Sequence, residues 1–76
     1  MGIKDFEIGD RLRVAGYESS GREYRQKLLS MGLVRGAEFE ITRRAPLGDP
    51  VEIRLGSFSL TLRRDEAAAL RVEKAD

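Results

Sequence analysis

The amino-acid sequence predicts a small, mainly β domain with five short strands, one α-helix after the first strand and a helical turn before the last strand. Three observations support this prediction. Most segments alternate apolar and polar residues with period two, which is typical of half-buried strands. One segment instead repeats its apolar residues at helical spacing. Glycines and prolines separate the segments, and a length of 76 residues is enough for a single domain over residues 1–76.

The first predicted strand runs from about Asp10 to Tyr17. Leu12 and Val14 share one face of this strand, and the arginines beside them lie on the other face. Gly16 near the end of the segment indicates either a bulge or the end of the strand. One face of the strand is therefore expected to be buried.

An amphipathic helix is predicted after this strand. Ser20 and Glu23 have the S-x-x-E spacing of a capping box, and Glu23 and Lys27 are spaced for an i, i+4 ion pair. Gly32 stands where many helices end in a left-handed residue. The apolar face repeats at i, i+4 and i+7 and consists of Tyr24, Leu28 and Met31.

The second strand is predicted over residues 37–43, where Phe39 and Ile41 alternate with polar residues. A loop follows at residues 46–50. Its two prolines cannot donate to a sheet ladder, and Gly48 can adopt a positive φ.

The third and fourth strands form the clearest predicted hairpin. A Gly56-Ser57 pair between two alternating runs favours a type II′ turn. The alternating apolar residues are Val51, Ile53 and Leu55 before the turn, and Phe58, Leu60 and Leu62 after it. Phe39 and Phe58 are both expected in the core.

A helical turn is predicted over residues 65–69 with Asp65 as its cap, and Leu70 and Val72 then alternate with charged residues in a last strand. A sheet this small leaves its edges open. Curling into a partly open five-stranded barrel would let both ends of the sheet share one core. The order of elements is similar to that of an SH3-like barrel with a helix inserted in its first long connection.

The composition argues against most kinds of catalysis. The chain has no cysteine and no histidine, which removes the commonest catalytic base and the commonest transition-metal ligands. It contains neither a G-x-S-x-G elbow nor a phosphate-binding P-loop. The carboxylate pairs Asp49 with Glu52 and Asp65 with Glu66 fall short of a calcium-binding loop. We therefore expect a protein that is not an enzyme, without catalytic residues, a metal site or a cofactor.

The sequence also predicts a cytoplasmic location. The N-terminal segment mixes charged and apolar residues, whereas a signal peptide needs a continuous apolar stretch. A membrane-spanning helix needs about 20 apolar residues, far more than the longest apolar run provides.

Two binding functions remain as hypotheses. In the first, the helix and the barrel leave a hydrophobic cleft, lined by Tyr24, Leu28 and Met31, that receives a segment of a partner protein. Leu47 in the loop at residues 46–50 would add a contact. The alternative places the apolar face of the helix on the barrel as ordinary core. Both descriptions can hold for different residues of one helix.

The second hypothesis is an RNA-binding SH3-like barrel. Residues 9–14 have the form G-D-x-x-x-V, which occurs in such barrels, and most of the basic residues are arginines. Against it, the formal net charge is only +1 and acidic residues are interleaved with the basic ones. The chain also offers no clear aromatic platform for stacking bases. We therefore rank nucleic acid below protein as a partner.

Several motifs together resemble one known family. They are the helix and its exit at residues 24–33, followed by Gly36; the A-P-L-G-D-P segment within residues 45–53; and a closing element formed by residues 59–63 with residues 65–67. In this order and spacing they resemble the FeoA family, the ferrous iron transport protein A family, over about residues 8–73.

The resemblance implies an SH3-like barrel in the bacterial cytoplasm that accompanies FeoB, an inner-membrane ferrous iron permease with a cytoplasmic G-protein domain. The implied role is accessory or regulatory and depends on protein–protein interaction, with the membrane reached only through the permease. Together with the charge argument above, this leads us to expect no nucleic-acid partner. The predicted contact residues are Tyr24, Leu28, Met31 and Leu47. An apolar cleft of this kind also predicts weak self-association.

Overall fold

The computed structural model describes residues 2–75, and the predicted strands and helices are all present. Two short 3₁₀ segments, Ile3–Asp5 and Ser19–Gly21, accompany them. In chain order the main elements are β1 (Arg11–Tyr17), α1 (Arg22–Ser30), β2 (Glu38–Arg44), β3 (Val51–Leu55), β4 (Phe58–Leu62), α2 (Arg64–Ala68) and β5 (Leu70–Lys74).

The strands form one antiparallel five-stranded sheet in the order β4-β3-β2-β1-β5. The register shifts between Val14 and Gly16 in the β1–β5 pair, and between Ile41 and Arg43 in the β2–β3 pair. Irregularities of this kind bend a strand and increase its twist, which allows a small sheet to curl around a core. Of the two alternatives that Gly16 indicates, an irregularity within the strand is the one observed, because β1 continues to Tyr17.

One hydrophobic core lies inside the curled sheet. Burying a single large aliphatic side chain in such a core contributes about 1.5–3 kcal/mol. The sheet supplies Leu12, Val14, Phe39, Ile41, Val51, Ile53, Leu62, Leu70 and Val72, and the remaining segments supply Ile3, Leu28, Leu33 and Ala69. Ile3, in the N-terminal 3₁₀ segment, is 2% exposed and was not among the predicted core residues.

Helix α1 ends as predicted and begins differently. Gly32 has φ +95°, its N–H donates to the carbonyl of Leu29, and the N–H of Leu33 donates to the carbonyl of Leu28. This pair of bonds is the Schellman motif. The predicted capping box is wrong, because Ser20 lies in the preceding 3₁₀ segment and the N-cap is Gly21, without a side-chain cap.

The β3–β4 hairpin has the predicted turn. Leu55 pairs with Phe58, Gly56 has φ +62° and Ser57 does not have a positive φ, as a type II′ turn requires. The prediction that Phe58 lies in the core is wrong, because Phe58 is 69% exposed. Phe58 sits on the edge strand beside the hairpin tip, where no further strand of residues 2–75 covers it. Phe39 is buried as predicted.

Within residues 2–75, neither helix is long and apolar enough to cross a membrane.

Candidate partner-binding groove

Helix α2 is fixed by the carboxylate of Glu66, one turn inside the helix. Glu66 Oε1 accepts a hydrogen bond of 3.0 Å from the backbone N–H of Arg63, so the prediction that Asp65 caps this helix is wrong. The other oxygen, Oε2, forms an ion pair with the ammonium group of Lys27 in α1. Lys27 therefore bonds to α2 in the structure, whereas the sequence predicted that it pairs with Glu23.

The two contacts also set the ionisation of Glu66. The hydrogen bond from Lys27, followed by that from the backbone of Arg63, lowers the pKa of this carboxyl against the opposing effect of burial. Glu66 is the buried charged residue of residues 2–75, with 5% exposure. It remains ionised and joins α1 to α2.

A close backbone approach makes a second connection between these segments. A Cβ atom built on Gly21 would lie 2.3 Å from the Cβ of Ala69 and 2.7 Å from its Cα. Contacts this short do not occur between real atoms, so Gly21 is required here by space. The N–H of Glu18 also donates to the carbonyl of Ala69 at 2.9 Å. The segment after β1 thus packs directly on the end of α2.

One cavity, of about 720 Å³, lies beside α2. The N-terminal 3₁₀ segment, the segment after β1, the end of β2 and the loop before β3 also line it. Buried apolar residues form its floor: Ile3, Val51 and Leu70. Charged residues stand at its rim: Lys4, Glu18, Arg44, Arg64 and Asp65.

A second cavity, of about 370 Å³, lies between α1 and α2 and is lined in part by Glu23 and Tyr24. Both cavities share Ser20, Asp65 and Ala68, so they are adjacent. We call the combined depression the α2 groove and define it by Lys4, Glu18, Ser20, Glu23, Tyr24, Arg44, Gly48, Arg64, Asp65 and Ala68.

The structure separates the four residues predicted to contact a partner. Tyr24 is half-buried and lines the α2 groove. Leu47 is 90% exposed and directly precedes Gly48, which lines the opposite part of the groove. Met31 is half-buried against the core and does not line the groove.

Leu28 corrects the prediction of a cleft lined by the whole helical stripe. Leu28 is 0% exposed because this part of α1 faces the curled sheet and packs in the core. A side chain without accessible surface cannot contact a docked protein. The apolar stripe of α1 is therefore divided between core packing at Leu28 and groove lining at Tyr24.

The Tyr24 end of the groove is acidic. The negative charge of Asp65 is the main cause of a raised pKa at the Tyr24 phenol, and burial, Glu23 and Glu66 act in the same direction. Ionising the phenol would place another negative charge among carboxylates, so the hydroxyl group stays protonated. The phenol can donate its proton to the carboxylate of Asp65 and can accept a hydrogen bond from a partner.

The arginines on the sheet, which the RNA-binding hypothesis requires, are mostly engaged by carboxylates across neighbouring strands. The ion pairs are Arg11–Glu38 at 3.6 Å, Arg13–Glu38 at 3.3 Å, Arg13–Glu73 at 2.9 Å, Arg43–Glu52 at 3.9 Å and Arg54–Glu40 at 3.0 Å. Phe39, an aromatic residue of β2, is buried. These ion pairs neutralise part of the positive charge on the sheet, whereas Phe58 of β4 is an exposed aromatic side chain.

Asp49, Glu52 and Glu66, three of the four carboxylates considered for a metal site, have other partners. Asp49 Oδ1 accepts a hydrogen bond of 2.7 Å from the N–H of Arg64, and Glu66 is bound by Lys27 and Arg63. Across residues 2–75 there is no cluster of three or more acidic side chains that could hold a metal ion.

Sequence reasoning missed most of the α2 groove. The spacing of Arg63 and Glu66 could have indicated the helix start, because a glutamate at the third helical position often accepts the N-cap amide. No local pattern marks Gly21, Lys4 or Arg44, whose roles depend on residues distant in the chain.

A curled five-stranded antiparallel sheet with a helix after its first strand defines a small SH3-like domain, and the α2 groove is its main concave surface. The FeoA domain model matches residues 1–74, so the chain belongs to the FeoA family. The expected family and fold class are both confirmed.

Individual relatives agree with this assignment. The chain is 34% identical over 73 residues to a fusion of Fe(2+) transport protein A with the Fe(2+) transporter FeoB from Porphyromonas gingivalis. The match covers 96% of this chain and only 8% of the length of that curated relative. The FeoA-like protein of Clostridium acetobutylicum, solved by NMR, has a TM-score of 0.86 and 39% identity, covering 97% of this chain and 85% of that one.

A crystal structure of Stenotrophomonas maltophilia FeoA complexed with zinc shows the same fold. Its TM-score is 0.79 at 21% identity, with coverage of 96% of this chain and 89% of that one. That protein is described as a prokaryotic SH3 domain protein and as a candidate activating factor for ferrous iron transport.

Proposed function

We propose that this chain is a cytoplasmic accessory or regulatory protein of bacterial ferrous iron uptake and acts by binding a FeoB-type permease. The relative in which a FeoA domain and FeoB form one polypeptide carries this proposal. A covalent link keeps two modules at high effective concentration, which is useful when they work in contact. The description of the Stenotrophomonas FeoA as a candidate activating factor agrees with this role.

The proposed contact surface is the α2 groove with Tyr24 at one end and Leu47 at the other. Tyr24 offers an aromatic ring and a protonated hydroxyl group, a combination that is favoured at interfaces. Leu47 exposes almost its whole side chain, and an apolar side chain in that position gains free energy when a partner covers it. Met31 is a second candidate contact, to be tested in the same experiment.

The test measures binding of the purified chain to the full-length FeoB permease of the same organism in detergent, with and without bound guanine nucleotide. We expect Tyr24→Ala and Leu47→Ser each to weaken binding by about 5- to 30-fold, which corresponds to about 1–2 kcal/mol and is the effect of a significant contact just below the hot-spot range. Leu47→Ser should leave the unfolding midpoint unchanged, because its side chain has few contacts to lose. Met31→Ser shows whether the interface extends to the far end of α1.

Phe58→Ser is the matched control. It also removes an exposed apolar side chain, but on the edge strand β4 and away from the α2 groove. The variant should bind like the unmodified chain. If Phe58→Ser weakens binding while Leu47→Ser does not, the groove is the wrong surface. If the permease does not bind the chain in any nucleotide state, the proposed function is wrong.

A further inference from the structure

The charges of the α2 groove are separated along its length. Lys4, Arg44 and Arg64 stand at one end, and none of them forms an ion pair with a carboxylate of residues 2–75. Arg44 Nη2 donates to the backbone carbonyl of Ile3 at 3.2 Å, which holds the guanidinium group at the groove wall. Arg64 belongs to this end because its N–H donates to Asp49, next to Gly48.

The opposite end is acidic. Glu18 and Asp65 line the first cavity, and Asp65 and Glu23 line the second, beside Tyr24. These three carboxylates also lack an ion-pair partner among the residues that the structure describes. Asp65 and Glu23 line the cavity beside Tyr24, and Lys4 and Arg44 line only the first cavity. Glu18 lines the first cavity as well, but its N–H donates to the carbonyl of Ala69, which lines the cavity beside Tyr24.

The rest of the groove is lined mainly by apolar side chains, several of them small. Ile3, Val51 and Leu70 form the buried floor, and Ala67 and Ala68 present only methyl groups from α2. A cavity of about 720 Å³ can hold several side chains of a ligand, because pockets for small ligands occupy about 300–1,000 Å³. An apolar floor with opposite charges at its two ends thus favours a ligand with the matching order of groups.

We propose that the α2 groove binds an extended segment of the partner protein with acidic residues at one end, small or aliphatic side chains in the middle, and lysine or arginine at the other end. The acidic residues lie against Lys4, Arg44 and Arg64, and the basic residues against Glu18, Glu23 and Asp65. The inference rests on the proposed function, because the segment is taken to belong to the permease.

The same charges disfavour a polyanion. A nucleic acid strand would place phosphates against the three carboxylates as well as against the cations, and like charges in contact reduce affinity. A uniformly acidic peptide or an anionic membrane meets the same repulsion. A segment of mixed charge in a defined order is the ligand that satisfies both ends.

Three peptides of equal composition test the order of charges by NMR titration of the labelled chain. Two have segregated charges, Glu-Glu-Leu-Ala-Leu-Lys-Lys and its reverse, which covers both chain directions. The third has mixed charges, Glu-Lys-Leu-Ala-Leu-Glu-Lys. We expect one segregated peptide to bind at least about fivefold more tightly than the mixed one, because each end adds favourable ion pairs. Its shift changes should concentrate at the amides of Ser20 and Ala68, and its affinity should fall at high salt.

Charge reversal provides the stronger test. Lys4→Glu with Arg64→Glu, combined with Glu18→Lys and Asp65→Lys, should transfer the preference to the other segregated peptide. Arg22→Glu is the matched control for Arg64→Glu, because Arg22 is the first residue of α1 as Arg64 is of α2, but does not line the groove. It should leave the preference unchanged. Circular dichroism establishes that each variant is folded before titration.

The proposal is overturned if all three peptides bind equally, if the reversed chain keeps its original preference, or if a uridine dodecamer binds the groove more tightly than the segregated peptides. The permease assay separates this failure from failure of the proposed function. Permease binding that is insensitive to the groove charges would leave the proposed function intact and refute the charge order. Selective peptide binding without permease binding would support the groove chemistry and refute the permease as partner.

Discussion

The curled sheet and the α2 groove are built by different kinds of contact. In the sheet, β3 and β4 are neighbours in sequence, and one alternating pattern with a Gly-Ser turn specifies the pair. In the groove, Lys27 meets Glu66 across 39 positions of the chain, and Gly21 packs on Ala69. The β3–β4 hairpin therefore depends on a local pattern, whereas the position of α2 beside the groove depends on a few long-range contacts.

This comparison predicts that the largest loss of stability follows a change in the shared core. Leu28→Ala should reduce the free energy of unfolding by about 2–5 kcal/mol, because it leaves a cavity where a completely buried side chain was packed. Chemical denaturation measures this loss. Leu29→Ala, a half-buried neighbour on the same helix, should cost only about 1 kcal/mol. Equal losses for the two variants would mean that Leu28 is not in the core.

A binding measurement on the same variant sharpens the distinction between core and groove. Under conditions in which Leu28→Ala is fully folded, its affinity for the permease should match that of the unmodified chain. If the affinity of this variant falls by more than its unfolded fraction explains, Leu28 contacts the permease directly and the core assignment is wrong.

The fold was largely predictable from the sequence, and the reasons lie in particular residues. Leu12, Val14 and Ile53 alternate with polar neighbours, and Gly32 follows the helix where a left-handed residue is needed; each signal is contained in a few adjacent positions. Phe58 has the same alternation and is exposed, because its surroundings depend on whether another strand covers the sheet edge. Periodicity identifies the face of a strand but not what lies against it.

The groove could be predicted only in part. Tyr24, which lines the groove, and the exposed Leu47 beside it could be named as candidates because apolar residues on a helix face or in a loop are visible in the sequence. Leu28 was misplaced because the same stripe faces the core at one turn of the helix and the groove at another. Lys4 and Arg44 come together only after the N-terminal segment folds against the end of β2, and no local spacing encodes that contact.

The next largest effect is expected where α2 approaches the segment after β1. Gly21→Ala should reduce stability by about 1–3 kcal/mol, the usual cost of overpacking a close contact. Gly2→Ala is the control, because a Cβ at Gly2 would have no atom within 4 Å, and it should change stability by less than about 0.5 kcal/mol.

A second-site change tests the cause of this loss. Combining Gly21→Ala with Ala69→Gly removes the nearest clashing atom, the Cβ of Ala69, but leaves its Cα 2.7 Å away. The double variant should therefore be more stable than the sum of the two single losses predicts. Strict additivity would show that the contact between Gly21 and Ala69 does not cause the destabilisation.

The smallest effect concerns the ion pair that holds α2 against α1. Glu66→Gln keeps an oxygen for the amide of Arg63 and removes the charge that Lys27 neutralises. Because the Lys27 side chain is 59% exposed and water competes for it, the loss at pH 7 should be about 1 kcal/mol. Denaturant unfolding of both chains at several pH values measures this difference.

The pH dependence of that difference identifies the charge as its cause. The folded state lowers the pKa of Glu66 below its usual value of 4.5, so the ionised carboxylate stabilises the fold at pH values above 4.5. This stabilisation is lost as the pH falls through the lowered pKa, because the folded state must then take up a proton. The gap in stability between the unmodified chain and Glu66→Gln should therefore narrow from pH 7 to pH 3. A gap that stays constant over this range would mean that Glu66 holds α2 by its shape and hydrogen bonds rather than by its charge.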